Sequence, residues 1–212
     1  GRHIDISALD ENTRRRSIDE LVAALDAAQL LGASCMVMHP APELERFPSD
    51  TEMIARMHQT ASSASILWKA ARERGVRVAF ENMAPHVAFG RVRDILWILG
   101  SLDETEICFC LDTGHAHLAR EAYTAPYKLR GCLAVVHAND NDDRTDCHLP
   151  PGRGVLRWEK ILGALKETGF CGTMIIELAG DTGKPPQQVM QEARAARAFI
   201  RSVCRKLTAH SS

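Results

Sequence analysis

The sequence predicts an α/β fold in which a parallel sheet is covered by helices, and three observations predict it. Five short apolar runs are each separated from the next by a segment with helical periodicity. That alternation buries both faces of every strand only in a parallel sheet with helical cover. The residues that end the runs, His39, Glu81, Asp112, His137 and Glu177, lie 42, 31, 25 and 40 positions apart, close to the repeat of about 31 in a (β/α)8 barrel. A doubly wound sheet fits the alternation too. However, no G-x-G-x-x-G follows a strand and no G-x-x-x-x-G-K-[ST] occurs, so nucleotide-phosphate folds lose their usual support.

In chain order, Ser17-Ile-Asp-Glu20 has the capping-box pattern. Ile18, Leu21, Val22 and Leu25 line one face behind it and Gly32 stops it, which predicts an amphipathic helix. Cys35 to Met38 follows as a short strand. Met53, Ile54, Met57, Ala61, Ala64, Leu67, Trp68 and Ala71 mark the next helix, Gly75 ends it, and Val76 to Phe80 reads as a buried strand. A shorter helix over Val92 to Leu99 precedes a strand from Ile107 to Leu111, and a helical stretch interrupted by Pro126 leads to a strand from Cys132 to Val136. After a long polar loop comes a helix over Trp158 to Thr168, with Ile161, Leu162 and Leu165 inward and Gly169 as stop. The strand Thr173 to Ile176 and a terminal helix beginning near Pro185 and Pro186 complete the chain.

The 212 residues are 45% apolar and 25% charged and contain no dividing linker, so one domain over 1–212 is expected. Twenty-six basic residues against 27 acidic ones leave a net charge of −1; no bulk positive field exists to hold a polyanion, although a local basic groove stays open. Seven cysteines form no C-x-x-C pair, and Cys35, Cys108, Cys110, Cys132 and Cys171 read as small reduced core residues. With neither a signal peptide nor an apolar stretch of about 18 residues, a cytoplasmic protein with no membrane partner is expected. The chain begins with Gly1 instead of Met, as a processed, tagged or truncated piece does.

Each of the five apolar runs is followed at once by a residue able to bind a metal: Met38-His39, Phe80-Glu81, Leu111-Asp112, Val136-His137 and Ile176-Glu177. In a parallel barrel all carboxyl strand ends open on one face, so these residues converge there. Their mixture of carboxylates and imidazoles suits a divalent ion: Zn, Mn, Mg or Co. Asp112-Thr-Gly-His115 places a further imidazole three residues after a strand-end carboxylate, and Asp146-Cys-His148 adds two more candidate ligands in the loop after His137. Asn82 and Asn139 adjoin ligand candidates and serve either to orient them or to form turns. Arg144 and Arg153 are able to grip substrate oxygens, with a surface role the plainer alternative. His3, His58, His86, His117 and His210 end no strand and read as structural. Asp140, Asp142 and Asp143 read as a run that solvates the loop, and Trp68 and Trp158 as packing residues.

Together, Phe80-Glu-Asn82, Leu111-Asp-Thr-Gly-His115, Val136-His-Ala-Asn-Asp140, Asp146-Cys-His148, Pro151-Gly-Arg-Gly154 and Ile176-Glu177 resemble the xylose isomerase-like TIM barrel superfamily. That superfamily groups sugar (phosphate) isomerases and epimerases with endonuclease IV-type AP endonucleases. The resemblance implies a central metal held by Glu81, Asp112, His137 and Glu177, with Glu81 and Glu177 also acting as the catalytic acid/base pair. His39, His115, Asp146 and His148 match positions that ligate further zinc ions in the endonuclease branch. It also implies a departure: Ile4-Asp-Ile-Ser7 resembles the segment after the third strand, so an incomplete barrel of about five βα units, strands 4 to 8 of the family fold, is expected, N-terminally truncated. The activity implied first is a metal-dependent sugar or sugar-phosphate isomerase or epimerase with a small-molecule sugar substrate; the alternative is an AP endonuclease, the one reading with a nucleic-acid partner. Assembly into a homo-oligomer is compatible with either.

Overall fold

The computed structural model describes residues 4–102, 108–180 and 183–209. Ile107, His3 and His210, on which expectations fall, lie outside the described residues. Five strands, parallel in every described pairing, alternate with helices in an α/β fold of the parallel (β/α) TIM-barrel type, as expected. The chain forms two compact units, 1–110 and 111–212, and the division falls within the third strand.

The first unit contains α1 (Glu11–Leu30), β1 (Cys35–Met38), α2 (Asp50–Glu73), β2 (Arg77–Glu81), α3 (Val92–Gly100) and the start of β3 (Cys108–Asp112). Helix α1 begins two turns before the expected capping box. Asp10 caps it, accepting from the Thr13 amide at 2.8 Å and the Thr13 hydroxyl at 2.6 Å. Ser17 sits inside the helix instead, where its hydroxyl donates to Thr13 O and accepts from the Asp5 amide, so a residue that suits a cap serves as a tether. Helix α2 buries Ala61, Ala64, Leu67, Trp68 and Ala71, whereas Ile54 stays 55% exposed. Gly75 ends it with φ +65°, a left-handed stop that favours glycine. In the β1–β2 pair Met38 is opposite Phe80, which sets His39 beside Glu81 at the carboxyl ends.

The second unit contains the end of β3, α4 (Thr113–Leu118), α5 (Ala125–Lys128), β4 (Leu133–Ala138), α6 (Trp158–Glu167), β5 (Thr173–Ile176) and α7 (Pro186–Ala209). Trp158, Ile161, Leu162 and Leu165 fall on one face of α6 and are buried, each contributing about 1.5–3 kcal/mol relative to exposure. Strand β5 departs from the expectation of burial on both faces. It pairs with β4, but Ile175 is 46% exposed, because a strand lying toward a sheet edge lacks full helical cover. Cys171 is likewise exposed, not a core residue, since it lies just before β5; Cys108 and Cys110 on β3 are buried, and no disulfide joins any of the seven cysteines. No helix among the described residues is long and apolar enough to cross a membrane.

Candidate metal centre

All eight predicted site residues are described. His39 and Glu81 belong to the first unit, where His39 Nε2 lies 3.5 Å from the buried Glu81 Oε2. Asp112, His115, His137, Asp146, His148 and Glu177 belong to the second and are brought together there.

Asp112 ends β3 and caps α4. Its Oδ1 accepts from the His115 amide at 2.7 Å, and its Oδ2 accepts from Asn139 Nδ2 at 2.5 Å. Asn139 therefore orients a ligand candidate, one of the two roles open to it. The Thr113 hydroxyl donates to Asn139 O and accepts from Asn139 N, which locks the start of α4 to the end of β4. Asn139 Oδ1 is buried with no hydrogen-bond partner among the described residues, and a Cβ at Gly114 would collide with it, so glycine is required at that approach.

Strand register explains the next pair. His137 is opposite Ile175, and Glu177, two residues on, projects to the same face. His137 Nδ1 lies 3.2 Å from Glu177 Oε2. His115 Nε2 reaches Asp146 Oδ2 at 2.9 Å, His148 Nε2 lies 3.2 Å from Asp146 Oδ1, and His148 Nδ1 is 4.0 Å from Glu177 Oε1. Burial alone would raise the Asp146 carboxyl, but the bonds to His115 and His148 outweigh it and hold the group well below the usual carboxylate range. The same Asp146 contact raises the His148 imidazole against the opposing effect of burial.

Asp112, His137 and Glu177 offer donor atoms within 4.8 Å of one another, and so do Asp112, His115 and His148. Two carboxylates with one imidazole, or one with two, fit a divalent ion such as zinc or manganese. Side-chain exposure rises from 0% at Asp112 to 36% at Glu177, so the donor set is closed at its base and open to a ligand at Glu177.

Parallel strands with a candidate donor set at their carboxyl ends are an arrangement of the (β/α) TIM-barrel type. The chain belongs to the xylose isomerase-like TIM barrel family, whose pattern it matches over residues 1–203. An uncharacterized protein of Methanocaldococcus jannaschii is 26% identical over 176 residues, covering 81% of this chain and 59% of that protein. The chain thus spans about three-fifths of the length of the first curated relatives it matches. A D-tagatose 3-epimerase-like protein of known crystal structure has a TM-score of 0.86 at 21% identity, over 99% of this chain and 76% of that one. The IolI protein, solved with a zinc atom, has a TM-score of 0.82 at 20% identity, over 96% and 74%. At these identities the two structures show a common fold.

One residue beside the site has a role the sequence reading missed. Asp140 is fully buried and solvates nothing; its carboxylate accepts four hydrogen bonds from the chain that follows. The signal available was Gly152, Gly154 and Trp158 downstream, two flexible positions and one indole donor. His117, read as structural, is buried with Nδ1 2.9 Å from Asn141 Oδ1.

Proposed function

We propose that this chain carries the reaction centre of a metal-dependent sugar or sugar-phosphate isomerase or epimerase, which moves a proton at a carbon next to a carbonyl. The observation that carries the reading is the convergence of Asp112, His137 and Glu177 at three successive strand ends, with donor atoms within 4.8 Å. The likeness to a D-tagatose 3-epimerase-like protein supports a sugar substrate, and that to zinc-bound IolI supports an ion. Glu81 is the fourth ligand by its place in Phe80-Glu-Asn82. The five βα units are read as strands 4 to 8 of the family barrel, the two units as halves of one domain, and the protein as cytoplasmic, with self-association compatible.

A divalent ion held by Glu81, Asp112, His137 and Glu177 supplies Lewis acidity, which lowers the cost of proton removal beside a carbonyl. Glu177, the open end of the donor set, accepts the proton from the sugar carbon while the C–H electron pair passes into an enediolate. Inversion of that carbon requires a second, protonated carboxyl on its other face; Glu81 is assigned to it, giving its proton to the enediolate carbon, and exchange with solvent resets both carboxyls. His137 and Glu177, with Nδ1 and Oε2 3.2 Å apart, would share the ion, and the His115 amide and Asn139 hold Asp112. His148 and Asp146 hold substrate hydroxyls.

The test is deuterium exchange. Intact protein loaded with Mn, Co or Zn is incubated in D2O with a panel of ketoses and ketose phosphates, and deuterium is expected at C2 or C3 of at least one. Full metal loading with no exchange across the panel overturns the reading. One observation favours a second reading, an AP endonuclease: His115, Asp146 and His148 form one connected group beside Asp112, as a multi-ion hydrolase needs. The charge of −1 weighs against it. Cleavage of abasic duplex DNA without sugar exchange would decide for it.

A further inference from the structure

The loop after β4 leaves the strand at Asn139, closes on itself at Leu149, and carries Asp146 and His148 between those points. Asp140 and Leu149 form its neck, exchanging two backbone hydrogen bonds of 2.8 Å each. The Asp140 side chain extends the closure to the next segment. Its Oδ1 accepts from the Asn141 and Leu156 amides at 3.0 Å each, and its Oδ2 accepts from the Gly152 amide at 3.0 Å and from Trp158 Nε1 at 2.8 Å. Two donors per oxygen saturate a carboxylate. The chain comes so close that a Cβ at Gly154 would intrude on Asp140 Oδ1 and Asn141 O.

His148 stands directly beside this neck with φ +41°, in the left-handed region that non-glycine residues visit uncommonly. Its carboxyl side is fixed. Leu149 is bound to Asp140 through N–H and C=O, and the carbonyl of His148 accepts from the Ala179 amide at 3.3 Å.

We propose that Asp140 is a positioning residue: its four-donor carboxylate clamps the loop neck and thereby holds His148 in the backbone conformation that aims its ring at Asp146 and Glu177. The charge state matters as much as the shape. An amide of the same size presents an NH2 to one pair of N–H donors whichever way it is turned, so D140N breaks two of the four bonds at nearly constant volume. The positioning of His148 stands apart from the proposed reaction; its consequence for metal affinity rests on the metal-site reading.

The test uses the full chain, freed of metal with a chelator, and reads the histidine ring nitrogens by long-range 1H–15N NMR. In D140N the His148 ring signals are expected to leave their wild-type positions for those of a solvent-exposed imidazole, while those of His137, held in β4, stay. A folded D140N protein whose His148 signals coincide with wild type overturns the proposal, because a residue that merely stabilises the fold leaves the ring where it was. If D140N does not fold, W158F decides: it removes one donor and keeps an aromatic ring in place. A shift of the same direction with faster amide exchange at Gly152 and Leu156 supports the clamp, and unmoved His148 signals overturn it. Zinc titration of folded D140N is the separate arm: in the proposed reaction His148 holds substrate hydroxyls and is no ligand of the ion, so affinity is expected to stay at the wild-type level. Displaced His148 signals with a roughly 10–100-fold loss of zinc affinity uphold the positioning role and add His148 to the metal ligands.

Discussion

Asp112 joins the fold and the proposed metal site in one carboxylate, and the two contributions separate by substitution. D112A removes the cap of α4, at about 1 kcal/mol. It also leaves the buried Asn139 Nδ2 without its acceptor, at about 1–3 kcal/mol. The expected loss is about 2–4 kcal/mol, which for a chain of this size lowers Tm by roughly 4–16 °C. D112N behaves differently. Its oxygen still accepts from the His115 amide, and Asn139, whose Oδ1 has no hydrogen-bond partner among the described residues, turns its amide to accept from the new NH2. The expected loss is no more than about 1 kcal/mol. Thermal unfolding in the presence of a chelator checks both values. Adding zinc in hundredfold excess over Kd raises wild-type stability by about 2.7 kcal/mol and stabilises neither variant. Equal melting of D112A and D112N would refute the hydrogen-bond reasoning, and zinc stabilisation of D112N at the wild-type level would refute Asp112 as a ligand.

E177Q is expected to keep the wild-type melting profile while losing sugar exchange, whereas D143N, at an exposed pair with Arg120, is nearly silent in both; exchange retained in E177Q excludes Glu177 from the proton transfer. The Thr13 hydroxyl and amide hold the Asp10 carboxyl below its usual value. The cap it forms is therefore fully present above about pH 4, the unfolded value, and is lost as pH falls through the lower folded value. Tm measured from pH 6 to pH 2 is expected to show wild type above D10A throughout the upper range, with the two converging in acid; a constant gap contradicts the linkage. Burial pushes the Cys35 thiol up, Cys108 adds to that, and Arg77 opposes it in part. Thiol labelling at pH 8 is expected to modify the exposed Cys171 and Cys204 first and Cys35 slowly, and equal rates would contradict this.

Much of this protein is legible in one dimension. Apolar periodicity and the glycine stops at Gly75 and Gly169 place the end of α2, helix α6 and the strands to within a residue or two, because they depend on neighbours a few positions away. The strand-end ligand candidates are legible for the same reason: a polar residue that closes an apolar run is conspicuous wherever the chain goes next. What only the tertiary structure decides is which partner a polar side chain meets. Ser17 and Asp10 are equally good caps by type, and the choice falls to Asp10 because the segment at Asp5 folds back to occupy the Ser17 hydroxyl. Asp140 and Asp142 stand two apart in one acidic run, yet the first is buried under four donors from as far on as Trp158 and the second is exposed. The gathering of Asp146 and His148 beside Asp112, and the left-handed backbone at His148, likewise depend on where the loop returns. A buried polar group must find its hydrogen bonds in the folded chain, and those partners are distant in sequence; periodicity carries no information about them.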